Sequence, residues 1–116
     1  MSSAKFVKEV LEKKKTEVER LSDQIFDLAE TGFHEFQTVR LYEEALRKEG
    51  FEVECGLAGM PTAFRASYGS GKPAVGFLAE YDALPGLGQE PVCTYQPLKT
   101  PGHGCGHNLL GTACAG

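Results

Sequence analysis

"ALRKEGFEVECG", residues 45–56, decides the fold. Ala45 and Leu46 close a run in which Phe36, Val39, Leu41 and Tyr42 recur at three- and four-residue steps. That spacing lines one face of a helix and predicts one over residues 35–49. Gly50 supplies the stop. From Phe51 onward the pattern alternates, with Phe51, Val53 and Cys55 set against Glu52 and Glu54, as a half-exposed strand requires. One glycine separates the two periods, so the chain must be built from both helix and strand.

Working outward towards the N-terminus, Val7, Val10, Leu11, Val18, Leu21, Ile25 and Leu28 predict a helix over residues 4–30, with lysines and glutamates on its other face. "ETGFHEF" (30–36) interrupts it, and Gly32 suits the stop. Two antiparallel helices joined by a short turn follow. His34, inside that turn, reads as a surface or packing residue. Towards the C-terminus, "TAFRASYG" (62–69) is a second strand and "GSGKP" (69–73) a turn. "AVGFLAEYD" (74–82) is more continuously apolar, which predicts a central strand buried on both faces. Residues 84–104 are rich in proline and glycine and read as a loop. Asn108 is expected to cap a helix beginning at Leu109. The fold class is therefore α/β: two helices, three strands of a mixed sheet and the start of a buried helix.

Composition narrows the function. At 116 residues the chain has room for one small domain. A net charge of -4 gives no basic footprint for nucleic acid. The one basic run, Lys13-Lys14-Lys15, is flanked by Glu12 and Glu17 and reads as a solvated helix face. No window approaches the roughly 18 apolar residues that span a bilayer, and the first residues lack the apolar core of a secretory signal. A cytoplasmic location with no membrane partner is the expectation. Irregular spacing of Cys55, Cys93, Cys105 and Cys114 favours free thiols. Of these, Cys55, Cys93 and Cys114 are read as packing residues.

The chemistry gathers in "PGHGCGHNLLG" (101–111). On an extended backbone His103, Cys105 and His107 would share one face, because side chains two apart point the same way. Imidazole and thiolate suit zinc and other borderline divalent ions. A closed structural zinc site needs four ligands, so an open site with partners elsewhere is favoured. Asp82 is the natural companion, since chemistry in α/β sheets collects beyond the carboxyl ends of strands. A carboxylate there can ligate a metal or orient an imidazole. Glu80, two residues earlier, would face the same side. Two other readings remain open at this point: a Cys105 thiolate paired with His103 or His107 for nucleophilic hydrolysis, and a small non-catalytic metal-binding module.

"FLAEYDALPGLG" followed by "GHGCGHNLLGTA" resembles the zinc-dependent metallopeptidase and amidohydrolase superfamily, which includes carboxypeptidase G-type enzymes, aminoacylases and hippurate hydrolases. Within it the likeness is to the branch of p-aminobenzoyl-glutamate hydrolases and β-alanyl-lysine dipeptidases, and "DLAETGFHEFQT" resembles that family's N-terminal helix junction. The resemblance implies that Cys105 and His107 bind the metal, zinc or manganese. It implies that Asp82 supports the catalytic centre and that His103 stands behind the ligands. It further implies a small-molecule amide substrate and a homo- or hetero-dimeric full-length parent, of which residues 1–116 form the N-terminal part of the catalytic domain. Where classic members carry His-x-Asp at the strand end, this chain has Glu80-Tyr81-Asp82, and Asn108 replaces a common aspartate. The family's general-base glutamate lies in a Gly-Glu-Glu motif that does not occur in this sequence, so these residues alone are expected to be inactive.

Overall fold

The computed structural model describes residues 2–116. Its elements run α1 (Ser3–Leu28), α2 (Phe36–Lys48), β1 (Glu52–Cys55), β2 (Phe64–Ser67), β3 (Gly88–Gln89), β4 (Pro97–Leu98) and α3 (His107–Ala115). The α/β class is as the two sequence periods predict.

Helix α1 starts on the Ser2 hydroxyl, which accepts from the Lys5 amide at 3.3 Å. It stops at Ala29 in the left-handed conformation, φ 44°, rather than at Gly32. Helix α2 ends as the sequence predicts, on Gly50 at φ +91°. The Gly50 amide donates to the Arg47 carbonyl at 3.0 Å and the Phe51 amide to the Leu46 carbonyl at 3.0 Å. This pair of bonds is a Schellman stop, and Phe51 folds back towards Leu46 as such stops favour. The start of α2 is held from a distance: the Glu30 carboxylate accepts from the Gln37 amide (3.0 Å), the Thr38 amide (2.6 Å) and the Thr38 hydroxyl (2.7 Å).

β1 and β2 form an antiparallel pair with Val53 opposite Ala66 and Cys55 opposite Phe64. The core is small. Ile25 of α1 and Tyr42 and Leu46 of α2 are buried, with Leu21, Phe51, Val53, Phe64, Tyr81 and Ala115 packed around them. Tyr42, Phe64 and Tyr81 stack with ring centroids 5.2–6.0 Å apart. In the first turns of α1 the apolar side chains Phe6, Val7, Val10 and Leu11 are exposed.

Three expectations are corrected. Residues 74–82 form no strand. Val75, Phe77 and Leu78 face solvent, Leu78 at 97% exposure, while Tyr81 alone of the large apolar side chains turns into the core. A central strand needs hydrogen-bonding neighbours, and among the described residues none lies alongside this segment. Asn108 does not cap a helix: α3 begins two residues earlier than expected, at His107, on Gly106 in the left-handed conformation, φ 74°. The Asn108 amide instead donates to the Ser22 hydroxyl at 3.2 Å, tying α3 to α1. Finally, the four cysteines are free as expected, but Cys55 and Cys93 are exposed rather than packed.

The segment 83–102 holds more order than a loop. The Ala83 amide donates to the Glu30 carbonyl at 2.7 Å, and Leu84 and Gly102 exchange backbone bonds of 2.9 and 3.0 Å. Beyond that clasp β3 pairs with β4, Gly88 opposite Leu98. Gly102 is required where it is, because a Cβ there would collide with the Leu87 carbonyl oxygen.

Candidate metal centre

The clasp between Leu84 and Gly102 decides where the site forms. It brings the chain just after Asp82 against the chain just before His107, although residues 85–101 intervene. Gly111 then lets α3 approach α2, since a Cβ at this position would collide with the Tyr42 hydroxyl oxygen. That hydroxyl meets Thr112 Oγ1 at 3.3 Å. The first turn of α3 is thereby fixed against the segment carrying Glu80 and Asp82.

His107 is the centre of the cluster, with its side chain 14% exposed. Its Nδ1 stands 2.9 Å from Asp82 Oδ1 and its Nε2 stands 3.2 Å from Glu80 Oε1. Glu80, Asp82 and His107 each offer a ligand atom, all within 4.8 Å of one another. Glu80 and Asp82 do share one side, as their two-residue spacing predicts.

An imidazole held between two carboxylates raises a chemical question. Ionised carboxylates only accept hydrogen bonds, while a neutral imidazole has one donor and one acceptor nitrogen. With Nδ1–H donated to Asp82, the Nε2 lone pair points at the oxygen of the largely exposed Glu80, and a positive charge between them would turn that repulsion into attraction. A proton supplies it by making the imidazolium. A divalent ion supplies it equally, and the 3.2 Å separation matches the edge of a tetrahedral site, where donors about 2.0–2.1 Å from the ion stand about 3.3 Å apart. Imidazole and carboxylate are a donor set that zinc and manganese accept. The residues present therefore fit a divalent cation. Asp82 on the far nitrogen is the carboxylate–histidine arrangement that fixes the tautomer of a metal-binding imidazole.

The other two residues of the "HGCGH" run point elsewhere. The Gly106 amide donates to the His103 carbonyl at 3.0 Å, so residues 103–106 turn rather than extend. The alternation of an extended strand is lost, and three residues take three directions. His103 Nε2 meets the Ile25 carbonyl at 3.1 Å, which anchors the turn to the end of α1. Its Nδ1 is buried without a partner. Burial pushes the His103 imidazole below its ordinary range, partly offset by the bond to Ile25. Cys105 is exposed and stands outside the three-residue cluster. No hydrogen bond joins Cys105 to either histidine among the described residues. His34 is exposed, as expected, with Nδ1 3.1 Å from the Gly32 carbonyl. Among the described residues no helix is long and apolar enough to cross a membrane.

Beneath the site, the helix junction is locked by buried polar groups. The Thr62 hydroxyl donates to the buried Glu35 carboxylate at 2.8 Å. The Tyr81 hydroxyl donates to the Thr62 carbonyl. Sequence reasoning missed Glu30 and Glu35 as structural carboxylates; the signal for Glu30 is its place beside the helix break, where free amides need acceptors, whereas Glu35 bonds the distant Thr62 hydroxyl and left no local signal.

Comparison with known proteins gives this geometry its context. No family model matches the chain. It is 44% identical over 112 residues to a subunit of p-aminobenzoyl-glutamate hydrolase from Escherichia coli (strain K12), across 94% of this chain and 23% of that protein. It is 34% identical over 119 residues to thermostable carboxypeptidase 2 of Saccharolobus solfataricus, across 90% of this chain and 30% of the relative. Hippurate hydrolase of Campylobacter jejuni is 35% identical over 98 residues, across 79% of this chain and 24% of the relative. The chain thus spans less than a third of the length of these curated relatives. Homology at this level, running along nearly all of its residues, shows that the chain belongs to the amidohydrolase and peptidase superfamily, in the branch of p-aminobenzoyl-glutamate hydrolase.

Proposed function

We propose that residues 1–116 are the N-terminal part of the catalytic domain of a metal-dependent amidohydrolase, acting on a small N-acyl amino acid or dipeptide-like amide. The observation that carries this reading is His107 held between Asp82 and Glu80. A bound zinc or manganese ion would supply Lewis-acid polarisation of an amide carbonyl and of an attacking water. His107 would hold the ion through Nε2. Asp82 keeps the proton on Nδ1 and so keeps Nε2 free as a ligand. Glu80 neutralises charge at the same point. Cys105, two residues before His107 on an exposed turn, is the further proposed ligand, and His103 positions that turn from behind. The general base is not among these residues, so this chain by itself binds metal without hydrolysing the amide. The names of the relatives support a peptidase-like substrate. That the Escherichia coli relative is a subunit of its enzyme supports a homo- or hetero-dimeric parent. We place that parent in the cytoplasm.

Cobalt substitution tests the ligand set. The 116-residue chain should bind one Co²⁺, and His107→Ala should abolish binding. A thiolate-to-cobalt charge-transfer band that disappears in Cys105→Ser would include the thiol; binding without such a band would leave a carboxylate–imidazole site. Unchanged binding in His107→Ala would sink the proposal.

A further inference from the structure

Tyr81 stands between the two carboxylates of the metal centre, and its side chain turns the other way, into the core. Its ring packs against Tyr42 and Phe64, with centroids 5.2 and 6.0 Å away. Its hydroxyl donates to the Thr62 carbonyl, and the Thr62 hydroxyl donates to Glu35 Oε2 at 2.8 Å. Thr62 and Glu35 are both buried, so water does not readily replace either partner. On the other flank of Asp82, the Ala83 amide donates to the Glu30 carbonyl at 2.7 Å. Both tethers lead to the junction between α1 and α2. Asp82 is thus held between two neighbours that are fixed to the same body. Its Oδ1 stands 2.9 Å from His107 Nδ1, and its Oδ2 lies 3.8 Å from where a Cβ on Gly32 of that junction would sit.

We infer, resting on the metal-centre reading above, that Tyr81 is a positioning residue: through Thr62 and Glu35 its hydroxyl fixes the direction in which Asp82 meets His107 Nδ1. A phenylalanine ring would fill the same space in the core. What the hydroxyl adds is a fixed point that stops the ring, and the backbone beside it, from turning. Without that point Asp82 swings away from Nδ1, and the imidazole proton is no longer held there. A proton on Nε2 then occupies the lone pair that would take the ion.

Tyr81→Phe tests this, because the ring stays and only the hydroxyl goes. Nitrogen-15 spectra of histidine-labelled, metal-free protein at about pH 9, where imidazoles are neutral, read the tautomer. The His107 signal, assigned by its absence from His107→Ala, should show the proton mainly on Nδ1. In Tyr81→Phe the proton should move towards Nε2, with circular dichroism unchanged. Zinc affinity by calorimetry should fall about tenfold, the lower end of the range for lost outer partners. Thr62→Ala frees the Glu35 end of the tether and should do the same, while Thr62→Ser should keep the parent's tautomer and affinity. The Thr62 pair decides alone should Tyr81→Phe unfold. The parent's tautomer in folded Tyr81→Phe, or in Thr62→Ala, would overturn the inference, whatever the zinc affinity. So would a Thr62→Ser protein that behaves as Thr62→Ala. Parent protein that holds the proton on Nδ1 but takes up no zinc would sink the metal reading and leave the positioning role of Tyr81 standing.

Discussion

At the scale of single residues, the proposed site makes the tautomer of His107 depend on Asp82, 2.9 Å from its Nδ1. Asp82→Asn replaces an acceptor-only carboxylate by an amide that can present its NH₂ to Nδ1. The imidazole could then turn its proton to Nε2, the nitrogen needed for the ion. Metal affinity should fall about ten- to hundredfold, the range seen when such supporting carboxylates are lost. Titration of Zn²⁺ by calorimetry measures it, and an unchanged affinity would show that Asp82 does not set the tautomer. Gly111 gives a test of packing instead of chemistry. Gly111→Ala drives a methyl into the Tyr42 hydroxyl and should destabilise the chain by about 1–3 kcal/mol in urea unfolding. Part of the candidate cluster is legible residue by residue: type and spacing mark His107 and Asp82, and the two-residue step from Asp82 puts Glu80 on the same side, while Cys105, read as a ligand beside His107, stands outside the cluster. The directions of His103 and Cys105 are not legible. Two-residue alternation holds only on an extended chain, and the Gly106–His103 turn breaks it.

At the scale of elements, periodicity located α1, α2, β1 and β2 closely, because each satisfies most of its backbone bonds locally or with a sequence neighbour. Residues 74–82 have a strand's composition without a strand's bonds, and composition alone cannot supply the partner. Asn108 shows the same limit for caps. Its amide found a better partner on Ser22 across the helix interface, and Gly106 took the helix start. The cap that does matter for α2 comes from Glu30, several residues upstream. Glu30→Ala removes the acceptor for two amides and a hydroxyl and should cost about 1–2 kcal/mol, with helical signal lost in proportion. Urea unfolding followed by circular dichroism measures it; a loss in stability with no loss of native helix would mean that Glu30 acts through tertiary packing alone.

At the scale of the whole molecule, stability rests on one small cluster around Ile25, Tyr42 and Leu46. Burial raises the Tyr42 phenol above its ordinary value of 10.0, while its bond to Thr112 works the other way. The folded state therefore holds the neutral phenol after the unfolded state has begun to ionise. The stability this provides is complete below about pH 10 and declines as the pH rises beyond it. Urea midpoints on either side of that value, about pH 9 and pH 11, should differ less in Tyr42→Phe than in the parent. Equal differences would show that another group governs the alkaline loss.

The Leu84–Gly102 clasp has a consequence for how such a protein can change. Because these two residues grip each other directly, the spacing between Asp82 and His107 is set at the neck of the excursion and not by its contents. Residues 88–98 beyond the neck behave as an exchangeable cassette. A sequence of different length grafted between Val92 and Tyr95 should leave the carboxylate–imidazole geometry in place. The same fold can thus present new surfaces beside the carboxylate–imidazole cluster without relearning how to assemble it.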